Sequence, residues 1–353
     1  MKKITPTISR RTFLAGSANI LVAPMVIKAS RAAAASNSIT FTAYGGSFQE
    51  ALEKAALKPF TEETGIKINI VPVPDLAKVK AQMLTGNVAW DVFDAGGPTL
   101  RSGSKQGFWE QLDPSMFDLE NMSVPPAADS VTYAFFAGGI AWDPKKYGPG
   151  KHPTNFAEYF DLKKFPGRRV LPNSAEETLE AALLADGVAP KDIYPLDADR
   201  AFKALDRIKP SIASWASTST QRLALLQTGE VDFSYTYANR IKATNQPGGG
   251  TPVAFSFEQN LLGSEGLAVL KGAPNKENAM KLVAYFLRPE VQARISDASG
   301  FAPVSKKAAP MISAEARKWQ PDITNANHLV INDAYWADNL EELSQRFKEW
   351  VLS

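Results

Sequence analysis

The sequence predicts an α/β protein of about two domains, built on parallel sheet with helices on both faces. Two observations carry this. The first folded stretch reads strand, helix, strand, helix, strand, an order that closes into a parallel sheet. After a leader-like N-terminus, about 318 residues remain, more than one core of ordinary size takes up.

The stretch from Ser38 to Phe48 opens the fold. Residues 39–44 are rich in β-branched and aromatic types, Gly45-Gly46 permits a sharp turn, and Ser47 is placed to cap the amphipathic run Phe48, Ala51, Leu52, Ala55, Ala56. A strand that passes to a helix through glycines leaves backbone N–H groups free for an anion; a plain β–α turn that binds nothing is the other reading.

Residues 1–35 stand apart. Lys2 and Lys3, Ser9-Arg10-Arg11-Thr12-Phe13-Leu14, an apolar run to Ile27 and Ala32–Ala35 follow the order of a cleaved export signal, with the cut expected near Ala35. The Ser-Arg-Arg-x-Phe-Leu string resembles the twin-arginine type, so the twin-arginine export machinery is an expected partner. Gly16, Asn19, Pro24 and Lys28 break the run short of the roughly 20 apolar residues of a membrane span. With no cysteine there is neither a lipoprotein attachment point nor a disulfide framework, and a soluble periplasmic protein is expected. The signal carries six cations and no anion, so its loss takes the chain from +2 to −4. That sign gives no support to a nucleic-acid or anionic-membrane partner.

The elements follow in order. A helix is expected over 48–64, ended by Gly65, then a strand over 66–71, a helix from Pro74-Asp75 to Gly86 and a short strand over 90–93. Ligands of such sheets lie beyond the carboxyl ends of the strands, which puts 44–48 and Asp94-Ala-Gly-Gly97-Pro98 on one rim. The extended, glycine-interrupted run 133–142 suits a crossing between domains. Alternation then resumes: strand 169–171, helices 174–185 and 198–208, strand 211–215, helix 220–228, strand 231–237, the loop Gln246–Gly250, strand 253–257 and extended chain 266–270. Helices are expected over 275–287, 289–299 and 339–350.

Phe60-Thr-Glu-Glu-Thr-Gly-Ile-Lys-Ile68, Trp90-Asp-Val92, Gly229-Glu-Val-Asp232 and above all Asn275-Lys-Glu-Asn-Ala-Met-Lys-Leu-Val-Ala-Tyr-Phe-Leu-Arg-Pro-Glu-Val291 resemble the periplasmic solute-binding proteins of ABC importers, in the spermidine/putrescine-binding branch. The resemblance implies two α/β lobes, each a mostly parallel sheet, closing on a small molecule: residues 37–137 with 264–309 in one lobe, 138–263 with 310–353 in the other. It implies a monomeric carrier without cofactor, serving a membrane permease whose ATPase is a separate chain. No Gly-x-x-x-x-Gly-Lys-Ser/Thr string occurs.

Polyamine binders of this family hold ammonium groups with carboxylates and the methylene chain between aromatic rings, at roughly 0.5–2 kcal/mol per good cation–π contact. Carried over residue by residue, the resemblance puts the ligand wall at Tyr44, Gly46, Ser47 and Phe48, with Gly97 on the rim, Glu177 and Tyr237 in the second lobe, Glu265 at the second crossing and Phe301 late in the chain. Two departures stand out. Gly263 occupies a tryptophan position, and Arg240 stands near where the putrescine type has an aspartate. An arginine repels a diamine and attracts a carboxylate or phosphonate, and Thr218 within Ser217–Thr220 adds hydroxyl and N–H donors. A polyamine such as putrescine or spermidine, or instead a zwitterion such as 4-aminobutyrate or an aminophosphonate, is therefore the expected ligand. Each residue also has a plainer reading. Glu177 with Ser174 spells a capping box, Tyr237 suits rim packing, Arg240 suits solvent, Ser217–Thr220 suits a helix cap, Glu265 suits a hinge lysine and Phe301 the core.

Other classes fit less well. His152 and His328 stand in no catalytic or metal-ligand spacing, and the adjacent pairs Glu176-Glu177 and Glu341-Glu342 do not face one substrate, so no catalytic residue is assigned. A ferric-ion carrier on the same fold remains, through Tyr235 and Tyr237 on one strand face.

Overall fold

The computed structural model describes residues 37–353, so the expected export signal lies outside the described residues. Strand β1 (Ser38–Ala43) leads through Tyr44 and two glycines with left-handed φ (74° and 60°) into a helix that runs to Thr64. The helix is α1 (Gly46–Leu52), a π turn (Glu53–Leu57) and α2 (Lys58–Thr64). Pro59 has no N–H for the carbonyl four residues back, and that freed Ala55 oxygen accepts from Arg294 Nε at 2.9 Å. Next come β2 (Lys67–Pro72), α3 (Leu76–Thr85, capped by Asp75), β3 (Val92–Gly96), α4 (Gly97–Lys105) and the 13-residue β4 (Ser130–Trp142).

The second half holds α5 (Phe156–Phe160), β5 (Arg169–Pro172), α6 (Thr178–Ala185), α7 (Ala198–Ile208), β6 (Ile212–Ala216), α8 (Ser219–Gln227), β7 (Phe233–Tyr237) and α9 (Ala238–Thr244). After the two-residue β8 (Ala254–Phe255) come β9 (Leu261–Val269), α10 (Lys276–Phe286), α11 (Pro289–Ser299) and β10 (Ala302–Pro303). The chain closes with α12 (Ala314–Arg317), β11 (Leu329–Val330) and α13 (Asp333–Leu352).

The strands form one sheet in the order β2-β1-β3-β9-β4-β7-β5-β6. Both ends are parallel, β2-β1-β3 and β7-β5-β6, as the alternating sequence requires. The middle is antiparallel. β9 pairs with β3 and with β4 from Ser130↔Ala268 to Gly138↔Leu261, and β4 then changes partner to β7 from Gly138↔Tyr237 to Trp142↔Phe233. These two long strands cross between two large hydrophobic cores, one to each lobe. One core joins residues between Ile39 and Ala134 to Leu267–Val304; the other joins residues between Ile140 and Leu261 to Leu329–Phe347. Among the described residues no helix is long and apolar enough to cross a membrane.

Several expectations need correcting. Ser47 does not cap α1: Gly45 holds the cap position, no side chain bonds there, and the serine lies within the helix. The helix expected from Ser174 starts at Thr178, because Glu177 adopts φ 68° and cannot be helical. The last helix begins at Asp333, six residues early, capped by Asn332. The strand expected over 253–257 shrinks to β8, and α4, α5 and α9 were not anticipated.

Candidate functional site

A cavity of about 590 Å³ opens where the carboxyl ends of β1, β3, β5 and β7 meet the crossing strand β9. Tyr44, Phe48, Glu177, Thr218, Tyr237, Arg240, Glu265 and Phe301, all expected at a ligand, line it together. Gly46 and Ser47 line an adjoining cavity of about 830 Å³ that also touches Phe48 and Arg240. Gly97 does not face the ligand space. A Cβ there would come within 2.0 Å of Asp333 Oδ2 and 2.1 Å of Ser264 Oγ, while its neighbours Gly96, Pro98 and Thr99 form the rim.

An aromatic line spans both cores. Phe48 stacks on Phe301 (4.8 Å between centroids), Phe301 lies 5.8 Å from Phe136, and Phe136 meets Tyr237 edge-on at 5.2 Å. Phe301 is thus both core and cavity wall. Gly263 leaves the space that Phe136 fills, since a Cβ at 263 would fall 2.2 Å from the Phe136 ring.

Two guanidiniums stand on the side of β7. Arg240, 8 % exposed, does not point to solvent: its Nη1 donates to Ser47 Oγ (3.1 Å) and its Nε to Ser219 Oγ (3.2 Å), and no carboxylate ion-pairs with it among the described residues. Burial lowers its affinity for its proton, with neighbouring Arg222 acting the same way. Arg222, 3 % exposed, donates to the Ala216 carbonyl at 3.1 Å, lies over the Tyr235 and Tyr237 rings, and leaves Nε unpartnered. Sequence reasoning missed it. The available signal was its position four residues after Thr218, the N-cap of α8, which returns the side chain to the cap's end of the helix. Thr218 does both its jobs, capping Gln221 N at 3.1 Å and lining the cavity.

Glu177 forms no capping box. Ser174 donates instead to the Glu176 carbonyl (3.0 Å), and Glu177 Oε2 accepts the Tyr237 hydroxyl at 2.9 Å. Burial drives the Glu177 carboxyl up to about 7, with Arg222 and the Tyr237 hydrogen bond pulling the other way. Its left-handed φ costs a non-glycine residue about 1–3 kcal/mol, as backbone at ligand sites often does.

The opposite side is acidic. Glu265, 4 % exposed, finds no hinge lysine, and its Oε1 has no partner. Behind it Asp94 is fully buried; Tyr133 donates to Oδ1 at 3.1 Å and Oδ2 is unpartnered. Asp94 escaped the sequence reading although it lies within the rim segment, because a lone acid inside a buried strand carries no motif. Tyr237 is engaged by Glu177 and Tyr235 is buried, and no group of three or more His, Asp or Glu able to hold a metal occurs among the described residues.

An amphoteric cleft between two lobes that share crossing strands defines a solute-binding protein. The chain belongs to the bacterial extracellular solute-binding protein family, whose model matches residues 55–326. It is 34% identical over 333 residues to the gamma-aminobutyric acid-binding protein of Pseudomonas aeruginosa, covering 92% of this chain and 93% of that one. The spermidine/putrescine-binding periplasmic protein of Escherichia coli is 23% identical over 321 residues, covering 88% and 90%. Among solved structures, the Atu4243 GABA receptor superposes with a TM-score of 0.80 at 33% identity over 89% of this chain and 97% of that one. The agropinic acid complex of AgtB from Agrobacterium tumefaciens R10 gives 0.80 at 33% identity over 90% and 99%. The names of these relatives are those of solute-binding proteins and receptors.

Proposed function

We propose that the protein captures a small zwitterion with an amine and an acid group, of the 4-aminobutyrate class, and hands it to an ABC permease. The observation that carries the reading is Arg240: a buried guanidinium in the cleft, hydrogen-bonded to serines and without a carboxylate partner. It and Arg222 repel a dication such as putrescine and suit a carboxylate, while Glu265 and Asp94 suit an ammonium. The gamma-aminobutyric acid-binding relative supports the same class. The cavity, at about 590 Å³, exceeds what one short amino acid fills, which favours as second reading a bulkier acid such as the agropinic acid bound by a relative.

Calorimetric titration with 4-aminobutyrate, putrescine, spermidine and agropinic acid tests this. 4-Aminobutyrate is expected to bind most tightly, and Arg240→Gln to weaken it at least tenfold, the lower bound for losing a charge-assisted hydrogen bond. Tighter binding of putrescine, with Arg240→Gln equal or improved, would overturn the zwitterion reading.

Lobe limits at 37–137 with 264–309 and 138–263 with 310–353 are part of the proposal, supported by the division of the cores. Ile312 and Ala316, however, pack against Ala293 and Ala308, so the segment after 309 starts against the first lobe. We also propose twin-arginine export and periplasmic residence, supported by residues 1–35 of the sequence. Mass spectrometry of the exported form should find its N-terminus within a few residues of Ala35; a retained Met1 would remove the signal.

A further inference from the structure

Asp94 and Glu265 sit on neighbouring antiparallel strands. Gly96 is opposite Glu265 and Asp94 opposite Leu267, so the two acids are diagonal neighbours on one sheet face. Both are more than nine-tenths buried, each has an oxygen without a partner, and Glu265 lines the cavity. No lysine, arginine or histidine ion-pairs with either among the described residues. The titratable groups facing them are the phenols of Tyr44, at the end of β1, and Tyr133 on β4, which donates to Asp94. From the other elements packed there, β1 supplies Thr42 Oγ1, accepting the Asp94 N–H at 3.1 Å, and α10 sets Phe286 against Tyr133. Two adjacent buried carboxylates cannot both carry charge without a cation.

We propose that Asp94 and Glu265 share one proton while the cleft is empty, and that the ligand's ammonium group replaces it, so that capture releases one proton to solvent. This rests on the amine-bearing ligand class proposed above. Charge balances: the pair goes from −1 to −2 as one carboxyl O–H breaks, its electron pair staying on oxygen, and the incoming ammonium supplies +1. Burial raises both carboxyls well above their usual range, and Asp94 raises Glu265 further. A neutral or anionic solute brings no cation to the pair, so the exchange also selects for amines. Release of one proton makes affinity rise about tenfold per pH unit wherever the empty pair keeps its proton.

Infrared difference spectra and calorimetry at pH 6 test this. The ligand-free protein should show a carboxylic-acid carbonyl band absent from the doubly isosteric variant Asp94→Asn with Glu265→Gln, a comparison that removes the contributions of Glu177 and other buried acids. 4-Aminobutyrate should bleach that band, and titrations in two buffers of different ionisation enthalpy should report about one proton released. Binding without proton release, or no band difference between wild type and a folded double variant, overturns the proposal. A band difference without any heat from 4-aminobutyrate supports the shared proton and sinks the zwitterion reading instead; putrescine then serves as the ammonium probe for release.

Discussion

A guanidinium enclosed by two serine hydroxyls pays the desolvation penalty of a cation without a carboxylate in direct contact, and Arg240 is held in that state by its place at the start of α9. Its role was visible in the sequence only as a charge of unexpected sign; its burial and its bond to Ser47, 193 residues away, were not. Glu177 is the matching case among the acids. Its folded carboxyl titrates at about 7, above the roughly 4.3 of an unfolded glutamate. With the folded value raised, its contribution is fully present below about pH 4 and lost as pH rises to about 7, a loss on the order of 4 kcal/mol. Glu177→Gln removes this titration, so urea midpoints measured from pH 5 to pH 8 should show the variant gaining on the wild type as pH rises. A pH-independent difference between the two would mean that Glu177 is already ionised in the fold.

At the scale of elements, β4 and β9 set the site, because they place residues from both cores on one continuous ladder. Close approach there depends on small residues. Gly138 faces the Tyr235 hydroxyl, where a Cβ would fall at 2.0 Å, and Gly263 faces the ring of Phe136. Gly263→Ala is expected to cost about 1–3 kcal/mol by overpacking and to tilt Phe136 out of its contacts with Tyr237 and Phe301. Denaturant unfolding reads the first effect and ligand titration the second; an unchanged affinity would remove Phe136 from the ligand wall. The resemblance alone treated Gly263 as a missing tryptophan. The structure shows the space already taken by an aromatic from the neighbouring strand.

Over the whole molecule, the cavity is lined from both cores, so a ligand binds only when both are folded and near one another. At 100 times its dissociation constant it should add about 2.7 kcal/mol to unfolding. Scanning calorimetry with 4-aminobutyrate should therefore raise the entire transition; a rise confined to one part of it would place the ligand on a single lobe. The α/β class, the order of nearly all elements and eight of the cavity-lining residues were legible in the sequence, since periodicity and turn chemistry are local. Short helices such as α4 and α9 were not, because glycine, proline and asparagine at their starts read as loop until packing holds them.

By itself, then, the sequence determined the parallel strand–helix units, the Gly45-Gly46 turn and the mixed charge of the candidate ligand residues, all of which depend on neighbours in the chain. Tertiary structure decided which charges meet. Phe136 and Glu265 meet in the cleft, with Asp94 behind them, because β4 and β9 run antiparallel between the two parallel groups, and α8 on β7 brings Arg222 to the same cavity. The same packing buries Asp94 beside Glu265 and encloses Arg240 between two serine hydroxyls without a carboxylate in ion-pair contact. Desolvation then gives those ordinary side chains the unmet charge that a ligand can satisfy.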